Sequence, residues 1–168
     1  KRVAETTDIS VITGENGDVD ETQHDGDPAL VVAEGIEVYE INGPYFFGIA
    51  NKFEEQISHF NQRTYVRIIR MRKVPFIDST GINNLTNLCK NSINKGTRIV
   101  LSGVRPNVHN DLERMGFNNL IGKENICSNI NKALYRAEEI MQEALDRKAE
   151  RDRQSESTTI LDEEATLS

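Results

Sequence analysis

Residues 74–85, "VPFIDSTGINNL", pass from an apolar run through an Asp-Ser-Thr-Gly step into a helical pattern. Upstream, "TYVRIIRM" at 64–71 carries Val66, Ile68 and Ile69 and reads as a strand; downstream, Ile82, Leu85, Leu88, Cys89 and Ile93 form one helical stripe that stops at Gly96, a good C-terminal breaker. The order is strand, turn, helix. It repeats with "TRIVLSGV" at 97–104 as a strand, Val108, Leu112 and Met115 as a short helix ending at Gly116, and "FNNLIG" at 117–122 as a last short strand. Parallel neighbours need crossover connections of this length, so the segment predicts an α/β layer with a mostly parallel sheet.

Working outward, "LVVAEGIEVYEING" (30–43) and "PYFFGI" (44–49) are β-branched and aromatic runs around Asn42, Gly43 and Pro44, which predicts a leading β-hairpin and hence a mixed sheet. Ile49, Phe53, Ile57 and Phe60 then share one face of a first helix. At the other end, Ile126, Ile130, Ala133, Leu134, Ala137, Ile140, Met141 and Leu145 sustain helical periodicity long enough to cross a sheet face. The expected total is about four to six strands with about four helices, in one domain over 30–146.

The flanks read differently. Residues 13–27 hold six acids and no Lys or Arg, with little apolar surface to offset the entropy of ordering, so 1–29 is expected to be a flexible acidic linker. "DISVIT" within it suits either a short strand or more linker. Residues 147–168 are polar and of mixed charge, and are expected to be a frayed helix end followed by a disordered tail.

Composition excludes several classes. The chain has 168 residues and a net charge of −7, which argues against a nucleic-acid binder with a phosphate-neutralising footprint. No stretch approaches the ~20 apolar residues of a membrane span. The two cysteines, Cys89 and Cys127, sit in apolar-periodic surroundings and read as small buried hydrophobes rather than a disulfide. No metal motif, GxGxxG or Walker loop is present, so neither a metal nor another cofactor is expected.

The Asp-Ser-Thr-Gly step (Asp78, Ser79, Thr80, Gly81) leaves a strand and opens a helix, where α/β proteins place functional groups. Two readings stay open. One of Asp78, Ser79 and Thr80 caps the helix, or the free N–H groups there also accommodate an anion or a phosphorylated Ser79 or Thr80 as a switch in partner docking. Catalysis by Ser79 needs a base, and His24, His59 and His109 fall in the linker, near the end of the first helix and in a later helix, without a triad pattern. The chain is therefore not expected to be an enzyme. Arg67, Arg70, Arg72 and Lys73 in "RIIRMRK" are its one basic cluster, read as a solvated strand face or as a docking patch for phospholipid or an acidic partner.

In order and spacing, "FIDSTGINNL" (76–85), "RIVLSGV" (98–104), "NVHNDLERMGF" (107–117) and the long last helix resemble the STAS domain, shared by sulfate transporters and anti-sigma factor antagonists. "KRVAETTDISVIT" and "GIEVYEINGPYFFGIANKFEEQI" further resemble the connection after the last membrane helix, and then the hairpin and first helix, of bacterial SulP proteins. A start at Lys1 rather than Met agrees with a piece of a longer chain. The resemblance implies a cytoplasmic regulatory domain at the bacterial inner membrane, attached to a transporter of sulfate, bicarbonate or dicarboxylates. Its implied partners are its own transmembrane domain, a second copy in the full-length homodimer, and acyl carrier protein. The alternative it implies is a free-standing anti-sigma factor antagonist in which a kinase phosphorylates Ser79.

Overall fold

The computed structural model describes residues 8–11, 30–42 and 63–167. Its five strands, β1 (Asp8–Val11), β2 (Ile36–Asn42), β3 (Val66–Lys73), β4 (Arg98–Ser102) and β5 (Ile126–Cys127), form one sheet in chain order. β1 runs antiparallel to β2, and β2, β3, β4 and β5 pair in parallel. Helices α1 (Ser79–Asn94), α2 (Pro106–Arg114), α3 (Phe117–Ile121) and α4 (Ile130–Leu167), with a single 3-10 turn at Lys123–Asn125, complete the described elements. The expected mixed, mostly parallel α/β sheet is the one observed.

Alternation along the strands divides the core. Tyr39, Ile41, Ile69, Met71, Ile99 and Leu101 meet Ile82, Leu85, Leu88 and Cys89 of α1 together with Val108, Leu112, Phe117 and Ile121 of α2 and α3. On the opposite face Ile36, Val38, Val66, Ile68 and Val100 pack under Ala133, Ala137 and Ile140 of α4. Two alanines four residues apart let that helix lie close to the sheet.

Several local expectations shift. β2 begins at Ile36 rather than Leu30, because Gly35 turns the chain with φ +91, where a Cβ would lie 3.0 Å from the Tyr65 ring and 3.1 Å from Met141 Sδ. The antiparallel neighbour of β2 among the described residues is β1, upstream of it. The proposed hairpin partner at 44–49 and the first helix over 49–60 lie outside the described residues, as does most of the acidic linker. "FNNLIG" is the helix α3 rather than a strand: Phe117 and Ile121, four apart, both turn into the core, and the strand comes later at Ile126–Cys127. α4 continues as a helix through Leu167, past the Arg147 boundary at which disorder was expected, and every residue over 147–167 is exposed.

The sheet buries charge as well as hydrocarbon. Parallel register sets Glu37 beside Arg67, with Arg67 Nε 3.1 Å from Glu37 Oε2 and side chains only 5% and 11% exposed. Further hydrogen bonds support the pair. Thr64 Oγ1 donates to Glu37 Oε1 at 2.6 Å, the Tyr39 hydroxyl donates to Glu37 Oε2 at 2.7 Å, and Arg67 Nη1 donates to Ser92 Oγ of α1 at 2.8 Å. A buried ion pair survives desolvation when its other donors and acceptors are satisfied in this way. Removing one partner strands the other, so Arg67→Met is expected to cost about 3–5 kcal/mol in urea unfolding, whereas Glu37→Gln with Arg67→Met recovers most of the loss. Equal losses in the single and double variants would disprove the coupling.

Burial also pushes the Cys89 thiol up from its ordinary value of 9.0 to about 12, and burial followed by the Glu37 hydrogen bond raises Tyr39. For a thiol raised by folding, the unfolded chain loses its proton first as pH rises. The stabilising difference is complete below pH 9 and shrinks by about 1.4 kcal/mol per pH unit towards pH 12. Unfolding measured over this range is expected to show that decline, and Cys89→Ala is expected to flatten its lower part, where Tyr39 does not yet contribute.

Candidate functional site

The β3–α1 loop stands at the C-terminal edge of the parallel strands. Val74 and Ile77, three apart, turn into the core while Phe76 between them is 48% exposed, so the strand's two-residue alternation has ended by this loop, and Asp78 after Ile77 is exposed. Asp78 has extended backbone angles and is the N-cap: its Oδ1 accepts from the Gly81 N–H at 2.7 Å and its carbonyl accepts from the Ile82 N–H at 2.9 Å. Gly81 and Ile82 are buried; Ser79 and Thr80 are exposed as the first two helical residues. The capping role, open among three side chains in the sequence, therefore falls to Asp78 alone. Both hydroxyls are left at the surface beside the positive end of a 16-residue helix.

A second loop lies against the first. Gly103, at φ +66, approaches so near that a Cβ there would be 3.0 Å from Arg72 Cβ and 3.2 Å from Arg72 N. Past it, Arg105 Nη2 donates to the Arg72 carbonyl at 3.2 Å and Asn107 Nδ2 donates to the Pro75 carbonyl at 2.8 Å. Pro106 follows Arg105 at the first position of α2, which fixes the direction in which the chain leaves. The β4–α2 loop thus braces the backbone leading to Asp78 through Gly103, Arg105 and Asn107.

The fold divides the basic cluster between the interior and the surface. Arg67 and Arg70 are buried, 4% and 8% exposed, on opposite faces of β3. Arg67 is neutralised by Glu37, while Arg72 Nε lies 2.8 Å and Lys73 Nζ 3.7 Å from Glu40 Oε1. The signal was present: "EVYE" in β2 and "RIIR" in β3 carry opposite charges at one spacing, and register aligns Glu37 with Arg67 and Glu40 with Arg70. Two strands read separately conceal such matching; paired, they show it.

His109 lies on α2, and His24 and His59 lie outside the described residues. Among the described residues no group of three His, Cys, Asp or Glu side chains is placed to hold a metal ion. Cys89 is buried and Cys127 half-buried, both as free thiols. The chemistry this edge offers is that of a surface: exposed hydroxyls on a braced helix start.

Residues 27–133 match the family model of the STAS domain. In structure the chain is similar to a sulfate transporter family protein of Wolinella succinogenes, at 38% identity and a TM-score of 0.62, over 68% of this chain and 93% of that one. It is also similar to the STAS domain of a SulP transporter of Vibrio cholerae, at 28% identity and a TM-score of 0.61, over 67% and 88% of the two chains. A candidate anti-sigma factor antagonist of Thermotoga maritima shares the fold alone, at 15% identity and a TM-score of 0.50, over 64% of this chain and 92% of that one. Curated protein sequences give no match. With more than half its length inside the family model, this chain belongs to the STAS domain family, and it resembles the STAS domains of SulP transporters.

Proposed function

We propose that this STAS domain is the cytoplasmic C-terminal part of a bacterial SulP-type anion transporter, acting on sulfate, bicarbonate or dicarboxylate transport by packing against the membrane domain and by docking partners. The observation that carries the reading is the 38% identity to the Wolinella sulfate transporter family protein, spanning 93% of that chain. Among the described residues no helix is long and apolar enough to cross a membrane, so the transport path would belong to another part of the polypeptide. The role of this part is regulatory, not enzymatic. Its partners are the transmembrane domain and a second copy. Of the bases over 67–73, Arg67 and Arg70 are buried, which leaves Arg72 and Lys73, both beside Glu40, as what an acidic partner such as acyl carrier protein would meet.

The docking surface in this reading is the loop of Asp78, Ser79, Thr80 and Gly81. A second reading, a free-standing antagonist switched by phosphorylation, is favoured by one observation, the exposure of Ser79 at a helix start whose cap is already supplied. A phosphate there would face the positive end of α1 but stand beside the Asp78 carboxylate, so modification would change the electrostatics of docking more than the fold.

The two readings separate on the coding sequence before Lys1. Ten or more apolar spans of about 20 residues are expected there, and a start codon close to Lys1 would sink the transporter reading. For the loop, Asp78→Ala is expected to cost about 1 kcal/mol of stability as a lost cap, while Ser79→Ala stays within about 0.5 kcal/mol. Ser79→Glu is expected to alter binding of the isolated transmembrane domain, or of a partner captured by the wild-type chain, with unchanged thermal unfolding. A Ser79→Ala loss as large as that of Asp78→Ala would show that the hydroxyl serves the fold.

A further inference from the structure

β1 fixes the side from which the polypeptide enters the sheet. Asp8 pairs with Asn42, the last residue of β2, and Val11 with Tyr39, so the chain comes in at the C-terminal edge of the parallel strands. It departs at the other edge. α4 begins after β5 at the entry edge, and its Met141 Sδ lies 3.1 Å from where a Cβ on Gly35, just ahead of β2, would stand. Residues of α4 beyond Met141 therefore run on past the N-terminal edge of the sheet.

The two ends differ in charge. Arg72 and Lys73 close β3, Arg105 follows β4, and Lys132 stands in the first turn of α4 after β5, so three adjacent strands each deliver a base to the entry edge. The side chains of Arg72 and Lys73 are 31% and 42% exposed, and Arg105 and Lys132 are exposed. Parallel topology turns the N-termini of α1, α2 and α4 to this edge as well, which brings the positive ends of three macrodipoles there. The acids at the edge are Glu40, which is buried and accepts from Arg72, Asp78, which caps α1, and Asp8 at the start of β1. At the far end, residues 154–167 hold four acids and no base. A chain of net charge −7 thus gathers bases where it enters the fold and acids where it ends.

We propose that this edge, through Arg72, Lys73, Arg105 and Lys132, lies against the anionic headgroups of a lipid bilayer. In one respect the proposal rests on the transporter reading, since a membrane domain ahead of Lys1 would bring the chain to this edge from the bilayer side. A flat anionic surface suits the arrangement because the bases are spread over the ends of three strands instead of converging on one point. The opposed charge at the two ends orients the domain, with the acids of α4 turned away from the lipid. Phe76, 48% exposed in the loop that follows Lys73, adds an aromatic ring of the kind that settles at headgroup level. Each base near an anionic surface strengthens partitioning about fivefold. Four bases bind weakly alone and firmly once a tether raises the local concentration.

The test is co-sedimentation of the 168-residue chain with vesicles of phosphatidylglycerol and phosphatidylcholine at millimolar lipid. The chain is expected to partition onto these vesicles, to ignore phosphatidylcholine alone, and to be released as salt approaches 1 M, where the Debye length falls to ~3 Å. Lys73→Gln with Lys132→Gln is expected to lower the partition coefficient about fivefold for each base lost, with circular dichroism unchanged. Lys148→Gln with Arg151→Gln, on the far part of α4, is expected to leave it as it was. The chain has no Trp, so Phe76→Trp reports on the entry edge and Leu161→Trp on the far end, and only the first is expected to shift its emission to the blue on phosphatidylglycerol vesicles. No preference for phosphatidylglycerol, indifference to the Lys73 and Lys132 changes, or a blue shift from Leu161→Trp would overturn the proposal. So would a chain that ignores the vesicles while the same two bases govern its binding to the isolated transmembrane domain in neutral lipid, which would make the occupant an acidic protein face. The vesicle outcomes do not depend on the coding sequence before Lys1, so failure of the proposal and failure of the transporter reading are told apart.

Discussion

A carboxylate and a guanidinium in neighbouring parallel strands constrain everything built around them. Glu37 and Arg67 are opposite each other in register and almost removed from water, so a slip of one residue in the β2–β3 pairing would leave two unpaired buried charges and turn every apolar side chain to the wrong face. A slip of two residues would keep the apolar faces in place but still part this pair. Ser92 extends the constraint to α1, because its hydroxyl accepts from Arg67 near the end of that helix, and Thr64 extends it to the approach to β3.

From this anchor the site follows mechanically. α1 is held at its far end by Ser92 and along its length by Ile82, Leu85, Leu88 and Cys89, so the position of its first turn is set by the core. Gly103, Arg105 and Asn107 then hold the loop that feeds this turn. The likeness to SulP STAS domains gives this arrangement its setting.

Much of this could be read in the chain, and the failures share a cause. Local periodicity disclosed α1 over Ile82–Ile93, the strand at 98–102 and the core-facing part of α4, because one stripe of apolar residues suffices for each. Phe117 and Ile121 misled, since five residues bounded by two glycines fit a short strand as well as one helical turn until the packing partner is known. The burial of Arg67 was hidden for a non-local reason: its counter-charge lies 30 residues away, in another strand. Helix beyond Arg147 has no apolar stripe to announce it. Asp78, Ser79, Thr80 and Gly81 were identifiable as a helix start, but which oxygen caps it depends on backbone angles at Asp78 that no composition rule supplies.

The division of labour at that start has an evolutionary consequence. Because Asp78 meets the orphan donor and Gly81 turns inward, positions 79 and 80 carry little of the folding free energy. Under the function proposed above, substitutions there would be screened mainly by what binds, so the loop could diversify or acquire a modification without first crossing a stability threshold. A fold that separates its cap from its hydroxyls in this way can serve unlike signalling partners from one scaffold.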